Sequence, residues 1–550
     1  MSDSLVADLI VRCLENEGVE VVFGIPGEEN IQLVDALERS SIRFVLARSE
    51  QGASFMADMY GRVTGRAGVC TATLGPGAIN LLLGVADAQM DSTPLVAITA
   101  QVGLNRIYKE THQFVDLVSM FKPVSKWANT VLTPDSVPEM VRSAFKVAQS
   151  ERPGASYLAV PEDVEAMPAP SEARPLPVNK VRAEAPSPTQ IERAAAALSA
   201  AQRPILLAGH GAAREGAQGA VVRFSEKFGI PVATTFHGKG AMPDDHPHAL
   251  GTIGFMVHDY TNFGFDNADL VISVGYELQE FPPIRINPTG HTSILHIHRF
   301  PAEVDAHYTL SVGIEGGIAE TLDALGAAVS KSFAIDRTDA AVRKMVQDEL
   351  ERGRTDDSFP VKPQRIVSDI REAMGRSDVV LADTGAIKMW MARLYPTYEP
   401  NTCLISNGLA TMAFALPGAI GVKLANRSRK VLAAMGDGSF MMNSQEIETA
   451  IREKTPIVII IWLDGSYGLI KWKMDLEMHR HSNVDFTNPD FVAYAESFGA
   501  KGYHVGAAED LLPTLRKALG DDGVSVVVCP VDYTENNKLT DRLGTLMQPI

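Results

Sequence analysis

The chain has 550 residues, of which 45% are hydrophobic and 21% charged, the balance of an ordinary globular protein with length for roughly three domains. A net charge of -17 excludes nucleic acid as a partner, because a phosphate backbone demands a basic surface. It leaves room for small anions, which a local pocket can hold with backbone N–H groups and a metal.

In chain order, Leu5, Val6, Leu9, Ile10, Cys13 and Leu14 follow helical spacing, with Ser4 as the expected cap and Gly18 as the stop. Residues 19–23 read as a strand ending at Gly24-Ile-Pro-Gly27, and 43–47, 68–73 and 95–100 read as further strands separated by helix-like stretches. This alternation predicts a parallel sheet flanked by helices, in a first domain over 1–165. A Pro-, Ala- and Glu-rich stretch over 166–188 reads as a linker. A second α/β domain over 189–350 has expected strands at 204–208, 231–235, 270–274 and 293–298. A polar stretch over 352–363 precedes a third, over 364–550, with strands at 379–382, 430–434, 457–463 and 525–529. The fold class is therefore α/β, with three open, mainly parallel-sheet domains and no short solenoid repeat.

Cys13, Cys70, Cys403 and Cys529 are widely spaced and form no CxxC pair, which fits a reducing compartment without a disulfide framework or zinc knuckle. No basic and then apolar leader opens the chain, and the strongly apolar stretch at 456–463 is far too short to span a bilayer. The expected location is the cytoplasm, with no membrane partner.

The strand at 430–434 runs into Gly436-Asp437-Gly438-Ser439. After a helix-like segment, the strand at 457–463 ends at Asp464-Gly465-Ser466. A right-handed crossover places both aspartates at the carboxyl ends of parallel strands, where open α/β sheets bind ligands. Mg²⁺ prefers six oxygen ligands and often shares them with substrate phosphates. Asp437, Asp464 and the backbone carbonyl of Ser466 would supply three, and a diphosphate and water the rest. Gly436 and Gly438 allow close backbone approach to that diphosphate, and the following helix adds a favourable dipole.

The pair GDGS and LDGS resembles the metal- and diphosphate-binding motif of thiamine-diphosphate enzymes. Aspartate in place of asparagine at position 464 is similar to the catabolic, flavin-free acetolactate synthases. Arg48 through Arg62 resembles the family's RHEQGA-x-x-MA-x-x-YAR signature, which implies that Glu50 binds the cofactor's aminopyrimidine. A carboxyl group beside the ring nitrogen favours the imino tautomer that takes the proton from thiazolium C2. Gly75-Pro-Gly-Ala-Ile-Asn80 is similar to the family's GPG-x-x-N loop.

The segment Ile405 through Pro417 resembles the G-x-x-TMG-x-x-LP stretch. By that resemblance Gly408, Ala410 and Met412 contact the cofactor, with Met412 wedged between its two rings. Gly385 and Ala386 fall in the loop that cradles the diphosphate, although Ala386 and Ile387 replace side chains that are often polar in relatives. Ser439, Ser466, Tyr467, Gly468, Leu469 and Ile470 complete the implied cofactor contacts, with Leu469 and Ile470 also lining a methyl pocket. His112 and Gln113 match a pocket-facing pair able to donate hydrogen bonds to a 2-oxo acid. Lys471 and Trp472 depart from the pattern, and a lysine there would either favour a more acidic or larger acceptor or point to solvent.

The resemblance implies thiamine diphosphate and Mg²⁺ as cofactors. It also implies a homodimer or dimer of dimers (a homotetramer) with active sites at the subunit interface, because Glu50 and the metal site come from different subunits in this family. FAD is not expected, since Val274-Gly-Tyr-Glu-Leu-Gln-Glu-Phe-Pro-Pro283 resembles the flavin-free type. The implied activity decarboxylates pyruvate and condenses the two-carbon unit with a second 2-oxo acid. The alternatives are a decarboxylase or carboligase for another 2-oxo acid or acyl donor, and a non-enzymatic relative. Intact Glu50, Met412, Asp437 and Asp464 weigh against the last.

Overall fold

A computed structural model describes residues 4–179, 184–254, 259–335 and 337–537. Strands β1 (Val21–Gly24), β2 (Arg43–Leu46), β3 (Gly68–Ala72), β4 (Leu95–Gln101), β5 (Trp127–Thr130) and β6 (Ala155–Pro161) form a parallel sheet in the order β2-β1-β3-β4-β6-β5. Strands β7 (Pro204–Ala208), β8 (Val232–Thr234), β9 (Ala249–Thr252), β10 (Leu270–Val274), β11 (Ser293–His298) and β12 (Leu310–Glu315) form a second, ordered β12-β11-β10-β7-β8-β9. Strands β13 (Val379–Ala382), β14 (Cys403–Ile405), β15 (Val431–Gly436), β16 (Val458–Leu463), β17 (Lys501–His504) and β18 (Ser525–Pro530) form a third, ordered β14-β13-β15-β16-β18-β17. Every pairing between these strands is parallel, and the first and third sheets have the same topology. The central strands are fully buried, as expected where helices cover both faces of a parallel sheet.

The expected strands are present, most with ends moved by one or two residues. The sequence reading missed β5, β14 and β17, which are short and sit at sheet edges. There one neighbour suffices and no long apolar run is needed. It also missed β6, β9 and β12. Ser4 does not cap the first helix. Leu5 is its N-cap, and the free Leu5 N–H donates to the Asp8 carboxylate at 2.8 Å instead. The start of the expected linker is pinned to this helix, with Val6 N donating to Met167 O at 2.9 Å and Ala169 N to Ser4 O at 2.7 Å.

The chain divides into two compact units. The first contains Met1–Val181, Gly408–Ser428 and Met442–Ile457, and the second contains Arg182–Asn407, Arg429–Met441 and Val458–Ile550. In the first unit, helices Glu50–Thr64, Gly75–Met90 and Ala415–Ala425 pack at close range because small residues line their crossings. A Cβ on Gly84 would stand 2.3 Å from Ser54 Oγ, and one on Gly421 2.2 Å from the Met56 carbonyl oxygen. Those contacts leave no room for any side chain. In the second unit, the core of the third sheet closes around Trp390 and Trp462, both fully buried.

Gly421→Ala should therefore destabilise the protein by about 1–3 kcal/mol through overpacking. Gly326→Ala lies inside helix Ile318–Ala328 with nothing within 4 Å of the new Cβ, so it should stabilise by about 0.5–1 kcal/mol through helix propensity. Thermal unfolding of both variants beside the parent checks the opposite signs.

Candidate active site

The third sheet reverses its strand order at β13 and β15, and the carboxyl ends of these two strands flank the crevice where open α/β sheets take ligands. Gly385 follows β13 with φ 128°, Gly436 ends β15, and neither has any atom within 4 Å of where a Cβ would stand. Both face open space, so a polyanion can approach the backbone there. Ala386 and Ile387 turn into the core, so the loop's backbone, not these side chains, faces the crevice. Lys388 Nζ donates to Asn407 Oδ1 and the Ser406 carbonyl, each at 3.4 Å.

Asp437 follows β15 and begins helix Asp437–Asn443, while Asp464 follows the neighbouring strand β16. Asp437 is buried. Its Oδ1 accepts from Gly438 N at 2.9 Å, and its Oδ2 from Gly465 N at 2.7 Å and Asn488 Nδ2 at 2.8 Å. Asp464 Oδ2 accepts from Ser466 Oγ at 2.7 Å. Burial first, and the charge of Asp437 in addition, push the Asp464 carboxyl up to about 7. The same two carboxylates, after burial, raise the Tyr533 phenol. Two carboxyls crowded in this way call for a cation. Among the described residues no three His, Cys, Asp or Glu side chains converge as a metal-ligand group. Asp437 and Asp464 could hold a cation that takes its remaining ligands from backbone, phosphate and water, as Mg²⁺ does.

The glycines of this region are fixed by the same crowding. A Cβ on Gly468 would stand 2.6 Å from Asp464 Oδ2, and one on Gly438 2.9 Å from the Tyr467 ring. Ser439 and Ser466 are buried, and Ser466 bridges to Asp485. Tyr467 packs edge-on against Phe486, with ring centroids 5.0 Å apart. Helix Gly468–Met478 has no buried residue; Leu469 is half-buried and Ile470 exposed. Lys471 Nζ donates to Asp485 Oδ1 at 2.9 Å, so its charge is already paired.

In the first unit, Glu50 is the first residue of helix Glu50–Thr64, whose Ser49 cap accepts from Gly52 N at 3.0 Å. Asn80 Nδ2 donates to Glu50 Oε2 at 3.0 Å. A Cβ on Gly77 would stand 3.3 Å from Glu50 Oε1, and one on Gly75 2.8 Å from the Gln113 carbonyl oxygen. The expected GPG loop is instead the first turn of helix Gly75–Met90, and it brings Glu50, Asn80 and the backbone of Gln113 together. His112 and Gln113 are exposed, and Gln113 has φ 56°. Gly408, Ala410 and Met412 also belong to this unit, with Met412 half-buried in a turn where Ala410 has φ 56° and Ala413 φ 69°.

Sequence reasoning missed Asn488 and Glu446. Asn488 lies 51 residues beyond Asp437 in a segment without a motif. Glu446 is fully buried and accepts from Arg48 N at 3.1 Å and Ser49 N at 2.9 Å, securing the turn that leads into Glu50. Burial raises its carboxyl, against bonds from Thr449, Arg48 and Ser49 that lower it. Its only sequence signal was an acid in an amphipathic helix.

Three family descriptions match successive parts of the chain: Thiamine pyrophosphate enzyme, N-terminal TPP binding domain, over residues 5–120; central domain, over 191–325; and C-terminal TPP binding domain, over 383–529. The chain is 36% identical over 543 residues to a catabolic acetolactate synthase of Raoultella terrigena, covering 98% of this chain and 97% of that protein. It is 34% identical over 552 residues to an acetolactate synthase of Bacillus subtilis (strain 168), covering 98% and 96%. A probable acetolactate synthase large subunit of Methanocaldococcus jannaschii is 33% identical over 572 residues, covering 99% and 95%.

Gly468→Ala should push the Asp464 carboxylate out of place and weaken Mg²⁺-dependent diphosphate binding by about 5- to 150-fold, the equivalent of an overpacking cost of about 1–3 kcal/mol carried by the site. Titration of the variant and parent at matched Mg²⁺ reads this directly.

Proposed function

Because the chain belongs to the thiamine pyrophosphate enzymes and is an acetolactate synthase-like carboligase, we propose that it decarboxylates pyruvate and joins the two-carbon unit to a second 2-oxo acid. The observation that carries this reading is the Asp437–Asp464 pair beside the open backbone of Gly385 and Gly436 at the switch point of the third sheet.

When bound, thiamine diphosphate supplies the electron sink that lets a 2-oxo acid lose CO₂. Asp437 and Asp464 would hold Mg²⁺, with Ser466 as a third ligand through its backbone. Gly465 N and Asn488 hold Asp437 in place for that task. Glu50 would hold a proton at the aminopyrimidine ring nitrogen. Asn80 occupies Oε2 and so orients the carboxyl, leaving Oε1 for the ring. Ala410 and Met412 would support the pyrimidine. His112 and Gln113 would donate to the substrate oxygen on which negative charge builds, a contribution of about 3–4 kcal/mol in such sites.

We place Glu50 against the diphosphate site of a second copy, in a homodimer or dimer of dimers. Helix Gly75–Met90 supports this, because Ile79, Leu83 and Met90 stand exposed along it beside Asn80. We further propose that no flavin is needed. Behind β10, Glu277 is buried and pairs with Arg214 at 2.8 Å, so the segment turns inward as a charge network. Four free, buried cysteines fit a reducing location such as the cytoplasm. Among the described residues no helix is long and apolar enough to cross a membrane.

Incubation with pyruvate, Mg²⁺ and thiamine diphosphate, without flavin, should yield acetolactate. Acetaldehyde as the product, or no pyruvate turnover, would overturn the assignment. Glu50→Gln should keep cofactor affinity and slow C2 proton exchange of the bound cofactor by about 10²–10⁴-fold, the usual weight of a general acid–base group. Exchange at the parent rate would remove Glu50 from that role.

A further inference from the structure

The turn that carries Ala410 and Met412 is held by two side chains, Asp87 and Asp91, that belong to none of the motifs. Positive φ at Ala410 and Ala413 is a conformation that non-glycine residues keep only where their surroundings over-determine it. The surroundings here are carboxyls, one helical turn apart, at the end of helix Gly75–Met90. Asp87 Oδ1 accepts from Thr411 Oγ1 at 2.5 Å, and Asp91 Oδ1 accepts from Gly408 N at 2.6 Å. Gly408 presses so closely that a Cβ would stand 2.6 Å from the Met90 carbonyl oxygen and 2.8 Å from Asp91 Oδ1. From the neighbouring helix Glu50–Thr64, Arg62 donates to Asp91 Oδ2 at 3.2 Å.

Asp58, one turn before Arg62, completes the cluster. It is fully buried, and burial, with the Asp87 charge next, holds its carboxyl well above the usual carboxylate range. Asp87 and Asp91 are fully buried as well. Three buried carboxyls around one guanidinium are a poor way to stabilise a helix pair, since apolar packing does as well without the desolvation cost. Their contacts with the turn give them a different purpose.

We propose that Asp87 and Asp91, with Arg62 as the countercharge, are positioning residues that set the 408–413 turn before the cofactor binds. This rests on the reading of Ala410 and Met412 as pyrimidine contacts. The same two helices carry Glu50 and Asn80 near their N-terminal ends, so one helix pair sets two groups assigned to cofactor chemistry. The role reaches the cofactor only through the turn, since neither aspartate is assigned a contact with it.

Thr411→Val removes the hydroxyl donor at nearly constant shape, and Thr411→Ser keeps it. Amide hydrogen exchange over residues 408–414 in the cofactor-free protein, and the thiamine diphosphate Kd at fixed Mg²⁺, are measured for parent and variants. Thr411→Val should exchange about tenfold faster in that segment alone and bind the cofactor about tenfold more weakly, as expected for a lost hydrogen bond to a charged group. Thr411→Ser should match the parent in both. Unchanged exchange in Thr411→Val would overturn the clamp, and faster exchange with the parent's Kd would overturn its service to the cofactor. Asp87→Asn, which keeps an acceptor for Thr411 but loses the charge, provides a second reading if the valine variant does not fold. It should loosen the same segment, and parent-like exchange would again overturn the clamp. A parent that binds no thiamine diphosphate would instead overturn the reading of the site, an outcome separate from the cofactor-free exchange.

Discussion

Two carboxylates forced into one crevice are the constraint around which the third sheet is arranged. β15 and β16 are neighbours, so the residues that follow them emerge side by side whatever they are. Burial first, and the Asp437 charge in addition, raise the Asp464 carboxyl, so placing aspartate at both positions carries a cost. The protein supports Asp437 with three hydrogen-bond donors rather than a basic side chain. A lysine or arginine there would have neutralised the pair.

Topology alone does not make such a crevice. The first sheet has the same strand order as the third, yet its switch point between β1 and β3 is closed. A Cβ on Gly24 would stand 2.3 Å from the Thr71 carbonyl oxygen, and one on Gly27 2.3 Å from Thr73 Cβ. At the matching place in the third sheet, Gly385 and Gly436 look into open space. Glycine serves opposite ends in the two sheets, close packing in one and access in the other. The first sheet instead presents Glu50, Asn80 and Gln113 from the loops and helices at its carboxyl edge. The central sheet has the doubly wound order but fills the carboxyl end of β10 with the Glu277–Arg214 pair.

The sequence by itself determined the three α/β alternations, because buried parallel strands leave apolar runs that punctuating glycines and prolines delimit. It also determined which aspartates meet, since a strand–helix–strand unit has one handedness and one end for its ligands. Edge strands such as β14 and β17 were not legible, because β14 is a buried apolar run of only three residues and β17 is a four-residue, largely polar and half-exposed segment. Nor were Asn488, Glu446 and the Asp58–Asp87–Asp91 cluster, whose meaning lies in contacts made across tens or hundreds of residues. Lys471 shows the same limit: its neighbours in sequence placed it beside the metal motif, but only the fold supplied Asp485 as its partner. Local pattern fixes the backbone path, because hydrogen bonding and burial repeat with regular periods. The partner of a polar side chain has no period, so the tertiary structure decides it.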